Sequence, residues 1–173
     1  PKATSVREIC KQAGVSPGLL RHYFEGKDDL FVQTYAWLTD SFMDGMRMCL
    51  QAKGKSAEER LESFFHYSFS PEWISEDVLG VWIAFWSLNK ANPEIEKVHR
   101  RFYQAHRRML ADVLRELIGR DIPAERLREE SMSLTALLDG LWLEHCLDPS
   151  SFSHETAVAM CRRWVRSYLM IEA

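Results

Sequence analysis

The chain has 173 residues, 22 of them Lys or Arg and 25 Asp or Glu, with a net charge of −3 and 46% hydrophobic composition. That is enough apolar mass for a sizeable core in one or two domains, and it excludes a low-complexity chain. No apolar run is long enough to cross a bilayer and no signal peptide is visible, so a cytoplasmic protein with no membrane partner is expected. Charge is uneven. Residues 1–27 hold five cations (Lys2, Arg7, Lys11, Arg21 and Lys27) against Glu8 and Glu25, which leaves an acidic remainder. A small basic head on an acidic body suits a protein that meets DNA at one end. Cys10, Cys49, Cys146 and Cys161 form no CxxC pair and read as reduced core residues.

In chain order, Thr4 to Lys27 reads as two short helices joined by a tight turn, a helix-turn-helix. Ser5 is an N-cap with Glu8 placed for a capping box. Val6, Ile9, Cys10 and Ala13 recur at helical spacing, so one face can be buried. Gly14 suits the left-handed residue that ends the first helix, and Val15 is expected to turn inward. Ser16 caps the second helix, with Pro17 at its first position. Leu20 and Phe24 point to the core. Gly18, Arg21 and His22 take the outer face, with Leu19 and Tyr23 beside them. The N-terminal part of such a helix enters the major groove. Arg21 suits guanine edges or a phosphate, His22 and Tyr23 suit phosphates, and Leu19 suits a thymine methyl. Lys27, opening the third helix, suits one more phosphate.

The rest of the chain also reads as helices. One runs from about 28 to 52, with Phe31, Tyr35, Leu38, Phe42, Met46 and Cys49 on one face. Ser56 and Glu59 make a capping box for a helix to about 69 that carries Leu61, Phe64, Phe65 and Ser68. Ser70, Pro71 and Glu72 form a turn. Ser75 caps a helix to about 91, and Asn92 with Pro93 starts one that Gly119 ends. Helices at about 123–147 and 153–171 follow, the last capped by Ser153.

The order AGVS, a short helix, HYF, one residue and GK resembles the DNA-binding domain of the TetR family of bacterial transcriptional repressors. Carried over by position, the resemblance implies DNA contacts at Thr4, Ser16, Pro17, Gly18, Leu19, Arg21, His22, Tyr23 and Lys27. Family members carry a further helix before the position of Thr4, whereas this chain starts at Pro1. Val6, Ile9, Leu20 and Phe24 are therefore expected to lose part of their cover. In the body, VWIAFW (81–86) and LLDGLWL (137–143) resemble the BetI-like regulators, which control choline-to-glycine-betaine genes. The resemblance implies an all-α chain with a helix-turn-helix domain at 1–30, its first helix apparently missing. Residues 31–173 would then form an antiparallel helical bundle that binds a ligand and dimerises. Pairing is implied through the helices at 123–147 and 153–171, whose Leu137, Leu141, Trp142, Trp164 and Tyr168 a monomer would leave partly wet. A two-fold homodimer matches a palindromic operator.

Aromatics are the strongest functional hint in the body. Trp82, Phe85 and Trp86 lie at i, i+3 and i+4, and Phe64, Tyr67, Phe102, Tyr103 and Trp142 sit on helices expected to face the same interior, with His106 among them. Such rings make a cage for a quaternary ammonium or simply a packed core. A small organic effector, choline-like by the resemblance, is expected there. Asp139 lies in an apolar stretch, as a buried acceptor, a packing partner or a counter-charge to a cation. His99 and His106 have neither the spacing nor the neighbours of a metal site, and no cofactor is expected. No nucleophile elbow or other hydrolytic motif is present. The expectation is thus a ligand-responsive DNA-binding repressor and not an enzyme. The alternative is a helical enzyme or interaction module that does not bind DNA.

Overall fold

Side-chain caps set where the helices begin. Ser5, Ser16, Ser56 and Ser75 each accept a hydrogen bond from the amide three residues on, at 3.1–3.3 Å. Asn92 accepts from the Glu94 and Ile95 amides, and Ser153 from that of Thr156. Each cap satisfies a donor that the first helical turn leaves open, and contributes about 1 kcal/mol. The reciprocal capping box closes at Ser56 and Glu59, whereas at Ser5 the hydroxyl bond is made alone. Gly14 and Gly119 end their helices in the left-handed region, both at φ 66°.

In the computed structural model of the chain, residues 5–119 and 121–171 are described, side chains through residue 167. The helices are α1 (Val6–Ala13), α2 (Pro17–Tyr23), α3 (Lys27–Leu50), α4 (Ala57–Ser68), α5 (Glu76–Leu88), α6 (Pro93–Ile118), α7 (Ala124–Leu147) and α8 (His154–Ile171), with no strand among the described residues. α1 and α2 pack on each other. α3 packs on α4 and α6, α6 on α7, and α8 on α4 and α7, which makes a helical bundle. Its centre is apolar: Tyr35, Met46, Leu61, Phe64, Phe65, Ile95, Leu110, Leu114 and Leu134 are all sealed from solvent. Burying each such side chain contributes about 1.5–3 kcal/mol. Arg162 pairs with Glu62 and Arg166 with Glu58, tying α8 to α4 along the surface.

Several boundaries are shorter than the periodicity implies. α3 ends at Leu50, where the Arg60 guanidinium donates to the Leu50 carbonyl (2.8 Å) and anchors the last turn. α5 ends at Leu88, because the Leu88 carbonyl accepts from the Ala91 and Asn92 amides and folds 89–91 into a turn. In the head, partial cover is found as expected at Val6, Ile9 and Phe24 but not at Leu20. Cys10 and Leu20 are buried, Val6, Ile9 and Phe24 are half-buried, and Ala13 is exposed. Val15 does not turn inward and is 37% exposed. Its amide donates to the Cys10 carbonyl, so the residue closes the turn after Gly14 and does not pack.

Gly45 on α3 marks a close approach. A Cβ there would lie 2.1 Å from the Tyr67 ring, which packs against Phe42 and Trp73. Gly45→Ala gains helix propensity but overpacks a rigid ring, so a net loss of about 1–2 kcal/mol is expected. A fall in the thermal midpoint checks this, and a rise would show that Tyr67 moves aside freely.

Candidate functional site

Two regions of the fold carry chemistry that the core does not use. The first is the outer face of α2. Its Ser16 cap and Pro17 start fix the helix, and Leu20 alone among its residues is buried. Arg21 and His22 are exposed, as are Leu19 (46%) and Tyr23 (66%). The His22 and Tyr23 rings meet edge-on at 5.0 Å. A Cβ on Gly18 would touch nothing closer than the Ser16 hydroxyl at 3.7 Å, so packing within the chain does not require a glycine there. The space it leaves is on the outside. Lys27 stands at the start of α3 with its ammonium 5.3 Å from the Phe31 ring centroid. Asp29 accepts from the Glu25 amide and from Gln33, and these bonds hold its carboxyl below the usual range and fix the α2–α3 corner. Among the residues expected at DNA, Thr4 lies outside the described residues.

The second region is a cavity of about 60 Å³ inside the bundle. It has room for about four to six waters, at 10–15 Å³ each, or for a compact head group. Indoles dominate its wall. Trp86 meets Trp142 edge-on at 6.1 Å, Trp82 lies 6.1 Å from Trp86, and Trp73 meets Phe42 edge-on at 5.0 Å. Phe64, Phe102 and Leu138 complete the apolar lining. The Trp142 indole N–H donates to the Trp73 carbonyl (2.7 Å), pinning α7 to the α4–α5 turn.

Polar groups on this wall are few. The Tyr103 hydroxyl donates to the Asp139 carboxylate at 3.0 Å. Burial raises Asp139 to about 6, with Tyr103 and the Arg107 charge pulling the other way. Burial also pushes the Tyr103 phenol up, so it stays protonated. His106, sealed in the core beside Thr135 (3.4 Å), is pushed down to about 4 by burial and is neutral near pH 7. The cavity at that pH therefore combines ring faces with one carboxylate, and its histidine brings no opposing charge.

Of the residues expected at this site, Phe64, Trp82, Trp86, Phe102, Tyr103, His106 and Trp142 line the cavity. Tyr67 and Phe85 do not. Phe85 turns away and stacks on Tyr35 at 4.5 Å, and Tyr67 lies over α3 with its hydroxyl at the Ser41 and Phe42 carbonyls. Phe42, Ser68, Trp73 and Leu138 are lining residues that the sequence reading missed. Trp73 had one available signal, a lone indole in the otherwise polar turn SPEW, which has to fold onto the nearest apolar face. Of the residues expected at a dimer seam, Leu137 and Trp164 are half-buried. Leu141 is 7% exposed and Trp142 belongs to the cavity, so neither offers much surface to a second copy. The Tyr168 side chain lies outside the described residues. Among the described residues no cluster of three metal-ligating side chains occurs, and no helix is long and apolar enough to cross a membrane.

Residues 1–34 match the N-terminal family "Bacterial regulatory proteins, tetR family", and residues 57–170 match "BetI-type transcriptional repressor, C-terminal". The HTH-type transcriptional regulator BetI of Escherichia coli K12 is 29% identical over 95% of this chain and 83% of its own length. A solved transcriptional regulator from Pseudomonas aeruginosa PAO1 is 37% identical with a TM-score of 0.87, over 96% of this chain and 80% of that one. A transcriptional regulator from Rhodococcus shares the fold, with a TM-score of 0.79 at 24% identity, over 96% of this chain and 85% of its own.

Proposed function

The chain belongs to the TetR family of bacterial transcriptional regulators, with a BetI-type body, and on that premise we propose that it is a repressor released from its operator by a quaternary ammonium compound of the choline type. Proteins of this family regulate transcription by binding operator DNA and small effectors, and are not enzymes. The observation that carries the effector reading is Asp139, a half-buried carboxylate in a wall of indoles. Ring faces attract a cation by about 0.5–2 kcal/mol each, and an ionised carboxylate partly removed from water gains more than an exposed one from a cation beside it.

In this reading residues 1–30 are the DNA head and 31–173 the sensing and pairing body, working in the bacterial cytoplasm where the operator is. Pro17, Gly18, Leu19, Arg21, His22 and Tyr23 meet the major groove, with Ser16, Lys27 and Thr4 at its phosphates. Two copies pair through the outer faces of α7 and α8, and their heads read the halves of a palindrome. α3 runs unbroken from Lys27 in the head to the Phe42 wall of the cavity. A ligand that favours one α3 position changes head spacing, and it acts only through its different affinities for the two states.

Arg21→Ala is expected to cost about 1–3 kcal/mol on the preferred operator and far less on random duplex, as loss of a base contact should. Lys27→Ala should weaken all duplexes alike and flatten the salt slope by about one unit. Equal losses for Arg21→Ala on both duplexes would reassign it to phosphate. For the effector, thermal shift and tryptophan fluorescence are read with choline and with a neutral hydrophobic compound of similar size. Response to choline supports the cage. Response to the neutral compound alone would refute it.

A further inference from the structure

Beside the aromatic cavity lies an open basin of about 600 Å³. Trp86, Tyr103 and Asp139 line both spaces and form the wall between them. On the basin side the charge reverses, since Lys90, Arg100 and Arg107 stand there. The basin's other carboxylate, Glu96, is taken up by Arg100 at 2.6 Å. Arg107 has no ion pair among the described residues and lies over the Tyr103 ring at 5.4 Å.

A second observation points to a ligand. Three residues that line this basin each carry a buried side-chain atom with no hydrogen-bond partner: Arg107 Nε, Trp86 Nε1 and Asn89 Oδ1. Two of them are donors, and one is on a cation. Buried polar groups are satisfied in nearly all folded proteins, so donors left open around one basin mark where an acceptor belongs. A plain cation in the inner cavity would leave both donors open.

We propose that the preferred effector is a zwitterion whose quaternary ammonium sits in the aromatic cavity beside Asp139, while its carboxylate tail passes Tyr103 into the basin and accepts from Arg107 and Trp86. The inference rests on the cation reading of the inner cavity. Tyr103 is common to both spaces, with Asp139 at its hydroxyl and Arg107 5.4 Å from its ring centroid, so a tail of a few bonds reaches from one charge to the other. Each end of the molecule then meets the opposite charge.

Calorimetric titration of the full chain tests this with three probes: choline, γ-butyrobetaine and butyrate. Choline and γ-butyrobetaine share the trimethylammonium head and differ in a hydroxyl or carboxylate tail. Butyrate has the tail without the head. γ-Butyrobetaine should bind about tenfold tighter than choline, as a charge-assisted hydrogen bond to the half-buried Arg107 guanidinium implies. Arg107→Gln should remove that advantage while leaving choline binding unchanged or tighter, because a like charge has gone. Trp86→Phe keeps the ring, loses the N–H, and should shrink the advantage without abolishing it. If choline binds and γ-butyrobetaine does no better, or if Arg107→Gln weakens both equally, the zwitterion is overturned and the cage stands. If neither trimethylammonium compound binds while butyrate binds through Arg107, the cage fails and the zwitterion fails with it.

Discussion

Replacing Asp139 with Asn will cost most of the affinity for quaternary ammonium compounds and will make what remains independent of pH. Removing one partner of a buried charge pair costs about 2–5 kcal/mol, so the dissociation constant should rise about thirtyfold or more. In the natural chain, burial holds Asp139 at about 6. Above that pH the carboxylate is ionised and attracts the cation. Below it a proton competes, so affinity falls as pH drops through about 6 and then approaches tenfold per unit. Stability moves the opposite way. A carboxyl raised from 3.8 to about 6 binds its proton more tightly folded than unfolded. Its favourable contribution is complete below about pH 4 and is lost as pH rises to 6 and beyond. By then the ionised group costs about 3 kcal/mol at 1.36 kcal/mol per unit. The ligand-free Asn variant should therefore melt higher than the natural chain at pH 8 and about level with it at pH 4. Weaker binding together with greater stability cannot come from misfolding. Thermal melts and choline titrations at pH 5 and 8 check both signs. Unchanged choline affinity in the variant would remove Asp139 from the site.

The second large effect is expected at Gly140, on the outer side of α7. A Cβ there meets nothing within 4 Å, so a larger residue disturbs nothing in its own chain. Met132 and Leu147 are exposed along the same side, Leu147 at 65%, and Ala136 lies one turn away from Gly140. A helix face of small and apolar residues lets a second backbone come close. On the proposed pairing through α7 and α8, Gly140→Arg should leave the melting of the protomer intact while splitting the pair. A single head then loses the second half-site, and operator affinity should fall about 10²–10⁴-fold. Sedimentation together with duplex titration measures both. A variant that stays dimeric would move the pairing face elsewhere.

The cap residues made the helix starts legible, because Ser and Asn declare them through a bond within three residues. The two glycines that end α1 and α6 were legible for a similar reason, since a positive φ needs no partner from elsewhere in the chain. The head motif was legible because the turn, the Ser16 cap and the exposed face of α2 are all local. The cavity was legible only in part. Trp82, Phe85 and Trp86 share one helix face, but that face is about 100° wide and the cavity takes one side of it. Phe85 falls on the other side and stacks on Tyr35. Leu141 and Trp142 are neighbours about 100° apart, and both turn into the protomer because α5 and the Trp73 carbonyl lie there. Trp73 sits in no periodic segment, and Gly45 gives no sign that Tyr67 lies on it. Such contacts depend on how the helices cross, which spacing along one helix does not encode.

The coupling of cavity to operator is tested most directly by fluorescence anisotropy of a labelled duplex, recovered by selection from a random-sequence pool and bound to the protein. Choline is added at pH 8 while tryptophan fluorescence reports cavity occupancy. DNA should be released over the same concentration range in which the cavity fills, and Asp139→Asn should shift both curves together to higher concentration. A cavity that fills with choline while the duplex stays bound would contradict it.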